Sequence, residues 1–112
     1  MQKIAIPTLR LDLLICLFLI TATLLVYLQV KDYSFINFDD NLYITENHNI
    51  KSGINIQTMK WAFTAVVASN WHPLTLLSHT LDWSLFGSWA GGHHLVSLLF
   101  HIGAVLFLFL FL

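Results

Sequence analysis

The chain reads as an all-α membrane protein in which two spanning helices are joined by a polar loop carrying two short amphipathic helices. Three observations predict this. Hydrophobic residues make up 57% of the 112 residues and charged residues only 10%, with a mean hydropathy of +0.73; a soluble domain usually carries about 25% charge to cover its surface. Residues 13–30 and 95–112 are two nearly continuous apolar runs. The stretch between them holds every acidic residue of the chain except Asp12.

Residues 1–12 form a short N-terminal segment with Lys3 and Arg10. Residues 13–30 follow as the first span, apolar apart from Thr21, Thr23 and Gln29. At about 1.5 Å of rise per residue this run nearly matches a hydrocarbon core of about 30 Å. A cleaved leader is the competing reading, but its apolar region covers only about 7 to 15 residues and ends in small residues. Here the run is longer and closes on Tyr27-Leu28-Gln29-Val30, so a retained anchor is expected. Lys3, Arg10 and the amino terminus precede the helix, whereas Lys31 and Asp32 flank its far end as a near-neutral pair. Cationic residues stay on the cytoplasmic side, which puts the N-terminus in the cytoplasm and the loop outside.

The loop, residues 31–93, divides into four pieces. Residues 33–52 alternate aromatic and polar side chains and are rich in Asn, which favours turns and extended backbone over helix. Next, Ile56, Met59, Phe63, Val66 and Val67 recur at helical spacing, with Gln57, Lys60 and Thr64 on another face, so an amphipathic helix begins near Asn55. Lys60 and Trp61 suit a membrane interface. A second amphipathic helix starts at Pro73, with Ser69 and Asn70 as turn or capping residues upstream. On it Leu74, Leu77, Leu81 and Leu85 form one stripe, and Thr75, Ser78, His79 and Asp82 another. Gly87 ends it as a residue that readily takes positive φ. Residues 88–92 turn the chain, with Trp89 as an interfacial anchor, and His93 and His94 open the second span, residues 94–112. That span reaches Leu112 without a polar flank, so the sequence is expected to stop inside it.

Several functions are excluded by composition. A net charge of -1 with no basic patch argues against nucleic acid. Cys16 is alone in an apolar run, leaving no disulfide and no cysteine metal site within the chain. Asp39-Asp40 is the most informative pair: adjacent carboxylates act as a general base or hold a divalent cation, or they form a solvated acidic turn. An EF-hand is excluded because its glycine and distal glutamate are missing. His72 and His79 are seven residues apart, as are His94 and His101, so each pair lies along one helix face. Such faces can cradle a haem or metal, or simply bond to neighbouring polar groups; no Cys or Glu completes a motif, and no metal ligand is assigned. His101 lies well inside the second span and is expected to face protein or water. Trp61, Trp71, Trp83 and Trp89 suit either sugar stacking or interfacial anchoring.

Three blocks carry a family resemblance. They are Phe35-Ile36-Asn37-Phe38-Asp39-Asp40-Asn41-Leu42-Tyr43-Ile44-Thr45-Glu46-Asn47, then Asn70-Trp71-His72-Pro73-Leu74-Thr75, then Gly91-Gly92-His93-His94-Leu95-Val96-Ser97-Leu98-Leu99-Phe100-His101. In this order they resemble bacterial multi-pass proteins with a GT-C-like membrane bundle followed by tetratricopeptide repeats. They are also similar to the transmembrane and tetratricopeptide-repeat proteins regarded as O-mannosyltransferases. The resemblance implies the N-terminal part of a GT-C-like bundle in a bacterial inner membrane, with the loop in the periplasm. It also implies transfer of a sugar, mannose in the family named, from a polyprenyl-phosphate donor to a protein hydroxyl. The remaining helices and repeats would lie in a longer chain, and the 112 residues alone are expected to be inactive. Asp39-Asp40-Asn41-Leu42-Tyr43 occupies the superfamily's Asp-Glu-x-x-Tyr pattern with Asp replacing Glu. By resemblance Asp39 is the base or metal-associated carboxylate and Asp40 its neighbour, the shorter second acid leaving a metal-bridging role open. Tyr43, His72, His94 and His101 are the matching candidates for substrate binding, and a divalent cation is a candidate cofactor. Two alternatives stay open: a non-catalytic membrane anchor for a repeat scaffold, and a small haem or metal protein built on the histidine pairs.

Overall fold

The computed structural model describes residues 8–112, and among these it is mostly helical with no strand. Lys3, part of the expected orientation signal, lies outside the described residues, as does most of the expected N-terminal segment. The chain divides into two compact units, one comprising the residues up to Gln29 together with Ser97–Leu112, the other Val30–Val96.

The first unit contains α1 (Thr8–Tyr27), which a tighter turn at Leu28–Asp32 prolongs. The helix begins before the expected start at Leu13 because nothing in Leu9, Arg10, Leu11 or Asp12 breaks it. Inside the apolar run, the Thr21 and Thr23 hydroxyls donate to the carbonyls of Leu17 and Leu19 at 2.8 and 2.7 Å. Bonding to the preceding turn leaves neither hydroxyl unsatisfied in an apolar medium. α5 (Ala90–Phe111) supplies the rest of the unit from Ser97 onward, and it starts earlier than the expected residue 94. Both helices are long and apolar enough to cross a membrane. Their large side chains, among them Leu17, Phe18, Leu25, Leu99, Phe100 and Phe107, lie open, as on a helix that presents apolar surface to lipid.

The second unit corrects the expectation of extended backbone over residues 33–52. One wide helical turn at Asn41–Thr45 closes with the Glu46 amide on the Asn41 carbonyl at 2.9 Å, and α2 (His48–Lys51) follows. Asn47 makes this possible. Its side-chain oxygen accepts from the amides of Asn49 and Ile50 at 3.1 and 3.3 Å, and its amide donates to the Leu42 carbonyl at 3.1 Å. Asparagine competes with the backbone for hydrogen bonds, so it suits a helix cap as well as a turn.

α3 (Ile56–Thr64) begins where expected, through a reciprocal cap between Asn55 and Thr58 with bonds of 2.9 and 3.0 Å. It ends before Val66 and Val67, which the periodicity had placed on it. Ala65 is extended, and Val67 pairs with Asn70 across a two-residue turn closed by bonds of 3.0 and 2.9 Å. Ala68 and Ser69 form that turn with φ of 47° and 64°. Ser69 and Asn70 therefore build a turn rather than a cap, and His72 stands at the N-cap of α4 (Pro73–Phe86) without a side-chain capping bond. Gly87 ends α4 with φ 55° and ψ -127°, a conformation that belongs to glycine.

Packing runs among α2, α3, α4 and the turn at Asn41–Thr45. Ile50, Ala62 and Leu76 form the core, with Tyr43, Trp61, Leu77 and Trp83 against it. On α4 burial does not follow polarity: Leu74, Leu81 and Leu85 of the leucine stripe are exposed while Leu77 packs on the core, and Asp82 of the polar stripe is buried along with Thr80 and Leu76.

Candidate functional site

The acidic pair is split by its hydrogen bonding. Asp40 is half-buried, and its carboxylate accepts from the Ile36 amide at 2.9 Å, tying back the extended segment before it. Asp39 is exposed; its backbone carbonyl accepts from the Leu42 and Tyr43 amides, each at 3.0 Å, so the residue opens the helical turn while its carboxylate faces outward. One acid shapes the loop and the other stays available to a ligand.

Tyr43 is the junction of the site. Its hydroxyl lies 3.0 Å from His72 Nε2, donates to the Val67 carbonyl at 3.2 Å, and accepts from the Asn70 side-chain amide at 3.4 Å. A phenol with its one proton on Val67 accepts from His72, so His72 carries hydrogen on Nε2 in this arrangement. The two rings meet edge to face with centroids 5.3 Å apart, and His79 approaches the same tyrosine at 6.3 Å.

Behind Tyr43 lies a buried polar cluster that α4 and the start of α5 build. Burial holds His79 below the ordinary histidine range; the neighbouring His93 and His72 act in the same sense, and the negative charge of Asp40 opposes them. Asp82 is only 4% exposed and sits 3.9 Å from His79, carboxylate oxygen to Nδ1. Burial raises its pKa, with His93 working against the rise. His93 Nε2 donates to the Gly87 carbonyl at 2.9 Å, and Phe35 packs edge-on to the His93 ring at 5.1 Å. His94 Nε2 reaches the Ser34 carbonyl at 3.4 Å.

An open groove of about 590 Å3 runs along the extended segment, lined by Asp32, Tyr33, Phe35, Ile36, Asp40 and His94 among others. A neighbouring depression of about 400 Å3 shares part of this segment and adds Lys31 and Trp89. Both fall within the size of small-molecule sites, about 300–1,000 Å3. Lys31 is already bound to the Asp32 carboxylate at 2.8 Å, so the cation does not stand alone there.

Of the residues singled out in the sequence, Tyr43 and His72 meet directly, Asp40 and His94 line one groove, and Asp39 points outward. His101 belongs to the other unit, where it packs edge-on against Tyr27 of α1 with centroids 5.3 Å apart. The histidine pairs thus behave differently: His72 and His79 share Tyr43, whereas His94 and His101 fall in separate units. Among the described residues no group of three or more His, Cys, Asp or Glu side chains has a metal-holding arrangement. Asp82 and His93 carry no site role in the sequence reading, and His79 enters it only as half of a histidine pair. The polar stripe of α4 was the available signal, but a stripe alone does not reveal which face is buried.

No protein-family model, curated protein or solved structure matches the chain.

Proposed function

We propose that this chain carries the N-terminal part of a membrane glycosyltransferase that moves a sugar, mannose in the family it resembles, from a polyprenyl phosphate to a protein hydroxyl. One observation carries the reading beyond the motif. The three sequence blocks behind the resemblance, far apart in the chain, are joined through the first: Tyr43 holds His72 of the second, and Phe35 packs on His93 of the third. A spacer between two anchors has no need of such a junction.

The chemistry assigns the outward acid the active role. The Asp39 carboxylate takes the proton from the acceptor hydroxyl while that oxygen bonds to the anomeric carbon. The bond from that carbon to the phosphate oxygen breaks, and the lipid phosphate leaves with the electron pair. Asp40 keeps the loop in shape through Ile36, and Tyr43 with His72 offers the hydroxyl and imidazole that orient a sugar. Beyond the first helix the chain offers Lys31, Lys51 and Lys60, the first already paired with Asp32, so a further arginine or lysine from the longer protein is expected to balance the phosphate. The bilayer holds donor and protein together, with the loop on the periplasmic side of a bacterial inner membrane.

The test is transfer from a radiolabelled polyprenyl-phosphate sugar by membranes containing the full-length protein. Asp39→Asn keeps size and turn preference but removes the basicity, so the rate is expected to fall about 100-fold or more while membrane insertion survives. Asp40→Asn is expected to lose less. Wild-type transfer by a well-inserted Asp39→Asn protein overturns the assignment, and no transfer by the parent protein favours an anchor for a repeat scaffold.

A further inference from the structure

Tyr43 clasps two distant stretches of the loop. Its hydroxyl bonds to the Val67 carbonyl, the Asn70 amide and His72, and so ties the helical turn at Asn41–Thr45 to residues 67–72. His79 packs beside this clasp, with its ring 6.3 Å from that of Tyr43. Its Nδ1 is sealed from solvent and has no hydrogen-bond partner among the described residues. The Asp82 carboxylate lies 3.9 Å from it, beyond hydrogen-bond length.

The surroundings of His79 decide what a proton does there. His93, held on the Gly87 carbonyl, and His72 both repel a charge on the ring, and Asp40 attracts one. The other helices packed on α4 bring Lys51, which lies 5.6 Å over the Trp83 ring, and His48 and Lys60 at the surface; Glu46, after the helical turn, is also exposed. A protonated imidazole carries two N–H donors and a charge, and a buried cation must find partners or return to water. Asp82 offers little help, because burial favours the uncharged form of its carboxyl as it does of His79. Water is the nearer remedy. The His79 side chain is already 26% exposed, so its ring reaches solvent by leaving Tyr43, without crossing the core of Ile50, Ala62 and Leu76, which holds no titratable group. The closed clasp is thus favoured above the ordinary histidine value of 6.5 and loses that advantage as the pH falls through it.

We infer that His79 is a proton-operated latch on the Tyr43 clasp: in mildly acidic solution its imidazolium leaves its place beside Tyr43, and the turn at Asn41–Thr45 parts from residues 67–72 while the helical core stays folded. This inference is independent of the transferase reading.

The experiment uses the whole chain in detergent micelles with Cys16→Ser and a nitroxide on each side of the clasp, at Leu42→Cys and Ser69→Cys, both exposed positions. Dipolar coupling between the labels reports their separation. Most of the short-distance population present at pH 7.5 is expected to be lost at pH 5.5 in the parent and retained in His79→Gln, which packs a neutral side chain at the same place. Circular dichroism of the tryptophans is expected to be the same at both pH values. An unchanged separation in the parent overturns the inference, as does equal opening in His79→Gln, because another group then senses the proton. Loss of the tryptophan signal together with the short distance also overturns it, because the unit then melts as a whole. The parent labelled with carbon-13 at the histidine Cε1 atoms supplies a second reading that does not require the variant to fold. One ring is expected to take its proton only as the nitroxides separate, and protonation of every ring while the short distance persists overturns the latch.

Discussion

Asp82 and His79 show how much one buried pair controls. A carboxyl whose pKa is raised in the fold favours folding below its ordinary value of 3.8 and loses that contribution as the pH climbs through the raised value. Asp82→Asn stays neutral throughout. Its melting temperature in micelles at pH 7 is expected to exceed that of the parent, with the gap closing near pH 3 when both side chains are uncharged. Circular dichroism of the tryptophans follows the transition. His79 works in the opposite sense: its folded pKa is lowered, so its contribution is present above the ordinary 6.5 and is lost as the pH falls below it. His79→Gln is expected to flatten the part of the stability loss that the parent shows between pH 7.5 and pH 5.5. An unchanged slope in that variant assigns the acid sensitivity to another group. Apart from the family resemblance, the acidic pair is legible in the sequence only as a pair. Adjacent Asp39 and Asp40 are chemically equal in the sequence, and the bond from the Ile36 amide to Asp40 tells them apart. That bond depends on the backbone path between residues 36 and 40.

At the scale of elements, local signals worked where a single residue type imposes a backbone choice. Asn55 capped α3, Pro73 opened α4, and Gly87 closed it. Periodicity alone failed at Val66 and Val67, whose spacing continued the α3 pattern although the chain had already turned. The turn itself carries a test. Ala68 and Ser69 both hold positive φ, which suits asparagine and glycine far better than a residue with a Cβ and no local bond. Replacing the pair with Asn-Gly, as A68N and S69G together, is expected to stabilise the unit by about 1 kcal/mol in chemical unfolding. A loss of stability instead means that Ser69 makes a contribution beyond the turn. At the core, Leu76→Ala is expected to cost about 2–5 kcal/mol, since the side chain is fully buried in a core of few residues. A cost under about 1 kcal/mol on the same unfolding curve shows that the surroundings collapse onto the space.

For the whole molecule, the expectation that the loop lies outside the cytoplasm rests on Arg10 and Lys3 against the near-neutral Lys31 and Asp32. A cysteine at exposed Asn49, with Cys16→Ser, is expected to react with an impermeant maleimide added outside intact cells. Labelling only after the cytoplasmic face is opened reverses the topology. Neutralising Arg10 and Lys3 together is expected to give a mixed population.

The sequence by itself determined the helical class, the two long apolar helices, and the ends of α3 and α4 marked by a cap, a proline or a glycine. These follow from composition, length and the conformational limits of single residues, none of which needs a distant partner. Only the tertiary structure decided that α4 turns Leu74, Leu81 and Leu85 outward and Asp82 inward, and that Tyr43 meets His72. Each of these depends on groups far apart in sequence finding one another, and on which face of a helix is covered once they do; neighbouring residues carry no record of that choice.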